Sequence, residues 1–359
     1  MSAKPVEVLF IVQLPKRVSP GQRFRFELYE ELLKENGFNV TTKYFLDQKA
    51  YAILYKPGHL LKKVWHVMKG TARRINLAFS IKKYNFILLQ REAAPVGPPF
   101  FEWLYIKVLK RKVIYDFDDA IWIPNISAQN KVARYLKFFG KVKTICKWSY
   151  KVSAGNEYLC NFAAKYNRNV VYNPTCVDTE KQHNLLADHD VERITIGWTG
   201  SFSTLKYLSI VEPVLQKLQE KYDFNVKIIC NEAPDLHVKN LQFIPWSEEN
   251  EIRELAKCQI GLMPLTDDEW SEGKCGFKLI QYLALGIPAL SSPVGVNKII
   301  VEEGVNGYFC KTQEEWYQNI EKLLLNADLR KRLGLNGRSM VESRYSLRSN
   351  RENFLQLFS

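Results

Sequence analysis

Cysteine pairs at useful spacing are missing from this 359-residue chain. Its seven cysteines (Cys146, Cys160, Cys176, Cys230, Cys258, Cys275, Cys310) are odd in number, scattered and never in a CxxC. That excludes a zinc ribbon or a regular disulfide frame, and it implies reduced thiols in a cytosolic setting. No run of about 18 uncharged apolar residues occurs, so no transmembrane helix is expected. The opening MSAKPVEVLFIVQ is too short and too lightly flanked for a secretory signal. Gly/Ser linkers and low-complexity tracts are also lacking, which leaves an ordinary globular chain. Neither a GxGxxG after the first strand-like run nor a P-loop is present, so the usual dinucleotide and nucleoside-triphosphate fingerprints are excluded.

What is present is enough apolar residue for a large core, 46% of the chain, and a length that suits two α/β domains better than one. The net charge of +13 is unevenly placed. Residues 1–176 hold about 30 basic and 12 acidic side chains, while the remainder is slightly acidic. A first half of that kind suits an anionic partner such as a membrane surface, a nucleic acid or a polyanionic acceptor. Gly58 to Tyr84 carries Lys62, Lys63, Lys69, Arg73, Arg74, Lys82 and Lys83 with no acid. At helical spacing Leu60, Leu61, Val64, Val67, Met68, Ile75 and Phe79 share one face, and Lys62, His66, Lys69 and Arg73 the other. Two readings fit: a helix with its apolar face on the core and its basic face in water, or a peripheral helix resting on anionic headgroups.

Strand and helix signals alternate along the chain. Strands are expected at Val6–Gln13, Phe38–Phe45, Phe86–Gln90, Val113–Asp116, Lys151–Ala154 and Val170–Tyr172. Helices are expected at Arg23–Glu35, Phe100–Leu109 and Val132–Lys147, and a polar connection at Asp178–Asp190. The pattern then restarts, with strands at Ile194–Trp198, Val226–Cys230, Leu241–Ile244, Ile260–Pro264 and Ala289–Ser292. Helices at Thr204–Tyr222, Glu248–Lys257 and Phe277–Leu285 separate them. Two β-α series imply two parallel sheets covered by helices, with ligands beyond the carboxyl ends of the strands. Domains are expected at residues 1–175 and 176–343, with residues 344–359 as a closing helix.

The densest motif is Glu272-Gly273-Lys274-Cys275-Gly276-Phe277-Lys278, running through Gln281 to Gly286-Ile-Pro288. A glycine-bearing, lysine-bearing loop entering a helix presents free amides and the positive end of the helix dipole, which together suit a pyrophosphate. Lys278 lies one turn in, and Gln281 one turn further, at the height of a ribose hydroxyl. An amphipathic helix with a glycine stop explains the end of this motif and not its entrance.

This segment, with Ser292-Pro-Val-Gly-Val-Asn297 and Glu303-Gly-Val-Asn-Gly-Tyr308, resembles family-4-type glycosyltransferases of the GT-B fold. The resemblance implies two Rossmann-like domains with parallel sheets facing across a cleft and a C-terminal helix crossing back to the first domain. The donor site falls in the second domain, with the nucleotide diphosphate at the helix start. The family has two glutamates eight positions apart, the second on ribose; Gly273 and Gln281 stand there in this chain. In Ile196-Gly-Trp-Thr-Gly200-Ser201-Phe-Ser-Thr-Leu-Lys206, Gly200 and Lys206 match the family's phosphate-gripping positions, and Ser201 replaces an arginine. Lys206 is the expected stabiliser of the departing diphosphate, whose charge grows in the transition state. Trp246 sits where the family clasps the base, or equally in a core.

In the first half, Ser19-Pro-Gly21-Gln-Arg23-Phe-Arg25 resembles the family's short cleft-facing glycine loop, with Gly21 allowing close approach and Arg23 or Arg25 meeting an anion. Tyr115-Asp116-Phe-Asp118-Asp119 closes a buried strand, so its carboxylates are expected at the cleft. One of them orients or deprotonates the acceptor, or Asp116-Phe-Asp118 mimics the metal-binding DxD of the other glycosyltransferase fold. The first role is preferred because the resemblance implies no metal ion and no cofactor. Ser153-Ala-Gly-Asn156 and Asn173-Pro-Thr175 extend the likeness, with Asn156 on the acceptor side.

The expected reaction is retaining hexosyl transfer from a UDP- or GDP-type nucleotide sugar to a hydroxyl of a glycan or lipid-linked acceptor, as in polysaccharide or lipopolysaccharide assembly. It would proceed at the cytoplasmic face of the membrane. A nucleotide-sugar epimerase on the same fold, or an inactive family member, is the alternative. A nucleic-acid partner is not expected, because no basic run is interleaved with exposed aromatics or matches a known binding module.

Overall fold

The computed structural model describes residues 4–54, 56, 58–124 and 137–359. The chain forms two compact units: residues 1–175 with 351–359, and residues 176–350.

The first unit is built on six parallel strands: β1 (Val6–Val12), β2 (Phe38–Tyr44), β3 (Phe86–Gln90), β4 (Lys112–Phe117), β5 (Lys151–Ala154) and β6 (Val170–Tyr172). Their order is β2-β1-β3-β4-β5-β6. Central strands in such a sheet are covered on both faces, which is why they read as continuous apolar runs; all five residues of β3 are buried. The end of the chain joins this unit. Phe354 stacks on Tyr29 with centroids 3.9 Å apart, and Phe358 packs against Phe38 and Phe86.

The second unit repeats the plan with β7 (Thr195–Gly200), β8 (Asn225–Cys230), β9 (Leu241–Pro245), β10 (Ile260–Met263), β11 (Ala289–Ser291) and β12 (Gly307–Phe309), in the order β12-β11-β10-β7-β8-β9. Trp198, Val226, Ile228, Ile260, Leu262 and Leu290 anchor its core. The sixth strand carries no sequence signal of its own. It is three residues long, and a Cβ at Gly307 would collide with the Ala289 carbonyl of the neighbouring strand.

Several expected helices are shorter or broken. Arg23–Glu35 divides into Pro20–Arg23, a 3₁₀ turn at Glu27–Tyr29, and Glu30–Glu35. Thr204–Tyr222 divides at Val211, where Pro213 suits only the first turn of a helix; 3₁₀ turns over Phe202–Ile210 precede the α-helix Glu212–Leu218. Phe100–Leu109 is an α-helical turn followed by a π-helical one. Of Val132–Lys147, the first five residues lie outside the described residues, and a helix occupies Lys141–Trp148.

The helix Leu60–Ser80 corrects one of the two readings of the basic segment. Its buried residues are Gly70, Arg74 and Leu77, while Leu60, Leu61, Trp65, Met68, Ile75 and Phe79 are exposed. The apolar face does not meet the core.

Candidate functional site

In the second unit the chain steps outward from β7 to β8 and β9, then returns to the other side of β7 with β10. That reversal makes β7 and β10 the topological switch point, where an open parallel sheet leaves a crevice beyond its carboxyl ends. Two loops rim it. One leaves β7 at its last residue, Gly200, and carries Ser201 and, within the 3₁₀ turns, Lys206; the other follows β10 and runs through Glu272, Gly273, Lys274, Cys275 and Gly276 into the helix Phe277–Ala284.

The entrance to that helix is shaped by Gly276, the N-cap residue, in left-handed backbone at φ +66°. A Cβ there would collide with the buried side chain of Ile300, so conformation and space both require glycine. Having no side chain, Gly276 gives the first turn no capping oxygen of the usual Ser/Thr/Asp kind, and the positive end of the dipole stays turned toward the loop. The rest of the helix is locked inward, with Leu279, Ile280, Tyr282, Leu283 and Ala284 buried.

Cations gather at the same edge. Lys278 Nζ lies 5.0 Å from the ring centroid of Trp198 in β7, and its field reaches Cys230 at the end of β8. Lys274 sits 4.8 Å over Trp270. Burial opposes ionisation of Asp268, but the Thr266 hydroxyl, Ser271 and the charge of Lys206 outweigh it and hold the carboxyl below its usual pKa. The charge of Lys206, in the segment after β7, thus reaches Asp268 in the segment after β10. Glu272 accepts a hydrogen bond from the Gly295 amide at 3.2 Å and ties down the loop after β11. Trp246 follows β9 on the same edge of the sheet, half-buried, its amide bonded to the Cys230 carbonyl at 2.9 Å. An amide-rich mouth with lysines on two converging loops is suited to a diphosphate.

Gln281 does not stand open at this mouth. It is 1% exposed, and its amide donates to Glu251 Oε1 at 2.9 Å. The helix presents that face to the segment Glu251–Leu255, so the glutamine meets a carboxylate before it can meet a ribose. Glu251, itself buried, is a polar residue beside the mouth that the sequence reading missed. Thirty positions separate the two, and no local pattern links them.

The first unit treats its charges differently. Arg25, expected to meet an anion at the glycine loop, is fully buried and pairs bidentately with Asp116, at 2.6 and 2.9 Å. Ser153 Oγ donates to the same carboxylate at 2.6 Å, and Arg25 also donates to the Asn173 carbonyl at 2.7 Å. Asp116 is thus an interior group, against the expectation that it faces an acceptor, because both its oxygens are satisfied inside the sheet. Asp118 and Asp119 are partly exposed and held by Arg91, another residue the sequence reading passed over. Gly21 passes so close to Asp118 that a Cβ would strike its carboxylate. Arg23 is mostly buried, 4.7 Å from the centroid of Phe24. Asn156 is the N-cap of Glu157–Ala164, accepting from the Leu159 amide at 2.8 Å. Among the described residues no group of three or more His, Cys, Asp or Glu side chains could hold a metal ion, and no helix is long and apolar enough to cross a membrane.

Residues 190–340, which contain every element of the lysine-lined edge, match the family model described as Glycosyl transferases group 1. That segment is therefore similar to a group 1 glycosyl transferase domain. The whole chain superposes on sucrose-phosphate synthase from Thermosynechococcus elongatus with a TM-score of 0.71 at 12% identity, covering 99% of this chain and 98% of that one. It also superposes on HepE from Anabaena in complex with UDP-glucose, with a TM-score of 0.65 at 13% identity, covering 98% and 99%. The fold is GT-B. Spore coat protein SA of Bacillus subtilis is 32% identical over 79 residues; the match spans 21% of this chain and 21% of that protein. Within the matched segment, the switch-point edge brings the sheet's carboxyl ends together with Lys206, Lys274 and Lys278.

Proposed function

We propose that the chain transfers a hexosyl group from a UDP- or GDP-type nucleotide sugar to a hydroxyl of a lipid-linked or polysaccharide-type glycan, such as a lipopolysaccharide precursor. It does so with retention of configuration and without a bound metal ion, and it works peripherally at the inner face of the cell membrane. The observation that carries the reading is the meeting, at one switch point, of the Gly276 helix mouth with Lys206 and Lys278 from separate loops. The UDP-glucose held by a GT-B neighbour is a ligand of the same chemistry.

In this mechanism the diphosphate lies against the first turn of Phe277–Ala284. The bond from the anomeric carbon to the phosphate oxygen breaks as the acceptor oxygen bonds to that carbon. The acceptor proton passes to the departing diphosphate. Charge grows on the phosphate through this step, so fixed amides and the Lys206 and Lys278 ammonium groups stabilise the transition state more than the ground state. No side chain forms a covalent intermediate. Because Arg91 holds Asp118 and Asp119 in ion pairs, these acids position groups near the glycine loop rather than abstract a proton.

Thermal-shift screening against UDP, GDP, ADP and their sugars tests the donor half of the proposal. A nucleotide at a hundredfold excess over its Kd should stabilise by about 2.7 kcal/mol. A protein unmoved by every nucleotide overturns it. Release of nucleoside diphosphate that is indifferent to glycan or lipid-linked acceptors would instead indicate an epimerase.

A further inference from the structure

The helix Leu60–Ser80 is packed inside out. Its inner side is held by polar groups: Arg74 donates to the carbonyls of Val12, Lys43 and Ala93 at 2.6–3.0 Å, and Arg73 to Asp47 and the Phe45 carbonyl. Gly70 lets the helix approach until a Cβ would strike the Phe45 ring. At 100° per residue, Leu60, Leu61, Trp65, Met68, Ile75 and Phe79 occupy an arc of about 140° on the opposite side. Every one of them is at least half exposed, Leu61 at 86% and Phe79 at 85%. Single exposed apolar residues need no explanation, but a contiguous stripe of this size marks a surface that something covers.

Charge selects the cover. Lys62 and Lys69 flank the stripe, Lys69 Nζ lies 5.4 Å from the Trp65 centroid, and Lys82 and Lys83 follow the helix. No acid occurs between Gly58 and Tyr84. Two copies laid face to face would bring like charges together, whereas anionic headgroups would neutralise the lysines while the acyl boundary takes the apolar stripe. We propose that this face docks on an anionic phospholipid bilayer, the helix lying in the plane of the interface. The proposal deepens the functional reading and rests on it in one respect, the lipid-linked acceptor that makes a bilayer the relevant surface.

Co-sedimentation with phosphatidylglycerol/phosphatidylcholine vesicles, against phosphatidylcholine alone, tests it. The intact chain should pellet with the anionic vesicles. The double variant Leu61→Glu/Phe79→Glu and the double variant Lys62→Glu/Lys69→Glu should each partition at least about tenfold less, since each removes one of the two attractions an interfacial helix needs. The substituted side chains are exposed, and an unchanged melting temperature confirms that the variants fold. Three results overturn the proposal: no pelleting of the intact chain, variants that pellet like it, or a dimer in sedimentation velocity that the leucine–phenylalanine variant dissociates without any vesicle binding. A UDP thermal shift measured on the same samples keeps the two readings apart. Vesicle binding lost in the variants supports docking whatever UDP does, and a missing UDP shift counts against sugar transfer alone.

Discussion

The helices Leu60–Ser80 and Phe277–Ala284 both combine lysines with a strong apolar stripe, yet they are packed in opposite senses. The second buries its apolar side in the sheet and offers its entrance and its lysine to a ligand edge. The first is fastened by arginines and leaves its apolar side uncovered. The contrast extends to the units around them. In the first unit Arg25 is occupied in the interior by Asp116 and Arg74 by three carbonyls, while the partly exposed Arg91 holds two aspartates. In the second, Lys206, Lys274 and Lys278 sit at the carboxyl edge of the sheet. A guanidinium has five donors in a rigid fork and suits a fixed interior network, while an ammonium on a flexible stem suits a phosphate that comes and goes. Position, more than net charge, separates the cations that are spent on structure from those that are candidates for a ligand.

The largest expected effect breaks the structural side of this contrast. Asp116→Ala leaves the fully buried Arg25 guanidinium without its carboxylate, and removal of one partner of a buried pair costs about 3–5 kcal/mol. Urea denaturation should register that loss, and any protein that remains folded should still show its nucleotide-induced shift. A loss of less than about 1 kcal/mol would mean that Arg25 finds another partner, and the buried-network account would fall. Lys278→Ala is the mirror image. It should leave the unliganded melting temperature within about 1 °C, as expected for a change worth a few tenths of a kcal/mol at an edge. It should remove most of the stabilisation by UDP or GDP, about 2.7 kcal/mol at a hundredfold excess. A full nucleotide response in this variant would place the diphosphate elsewhere.

Gly276→Ala acts on stability and binding together, because the same residue sets the backbone and shapes the helix mouth. Left-handed backbone costs a non-glycine residue about 1–2 kcal/mol, and the added methyl must also displace Ile300. Thermal denaturation should show at least that loss together with a weaker nucleotide shift. A variant that is destabilised but binds normally would separate the cap from the site.

How far all this can be read from residue order follows the range of the interactions involved. Strands buried on both faces, such as β3 and β8, are continuous apolar runs and are visible locally. The strand β12 is not, since three residues beginning with glycine owe their pairing to the Ala289 backbone. The glycine and lysines at the mouth of Phe277–Ala284 are local too, so the candidate ligand edge is legible where its composition is unusual. Periodicity places the apolar and basic stripes of Leu60–Ser80 correctly but cannot say which faces inward. That depends on carbonyls of Val12, Lys43 and Ala93, far away in sequence, which happen to accept from Arg74. Long range also hides the partners of Asp116, Asp118 and Gln281, which lie 91, 27 and 30 positions away. A carboxylate in a motif therefore looks available until the fold supplies its arginine.

The finest test uses pH, to which an arginine-fastened interior and a histidine-containing one respond differently. The second unit buries His189, whose Nε2 lies 2.9 Å from the Gly286 carbonyl, at the turn that ends Phe277–Ala284. Burial, the largest influence, pulls its pKa below the usual 6.5, partly offset by that hydrogen bond. A base with a depressed pKa in the folded state is protonated first in the unfolded chain. Acid therefore favours unfolding: stability is intact well above pH 6.5 and declines as the pH falls below it toward the folded-state value. One proton bounds the slope at about 1.4 kcal/mol per pH unit. Unfolding free energies measured between pH 7.5 and 5.5 should converge for the intact chain and His189→Gln as the pH drops, because glutamine has no proton to gain. Arginine remains charged throughout that range, so Arg25→Met should instead lower stability by the same amount at both ends. If His189→Gln left the pH dependence unaltered, the imidazole would already be hydrated, and the seal between that turn and the rest of the second unit would be looser than its burial implies.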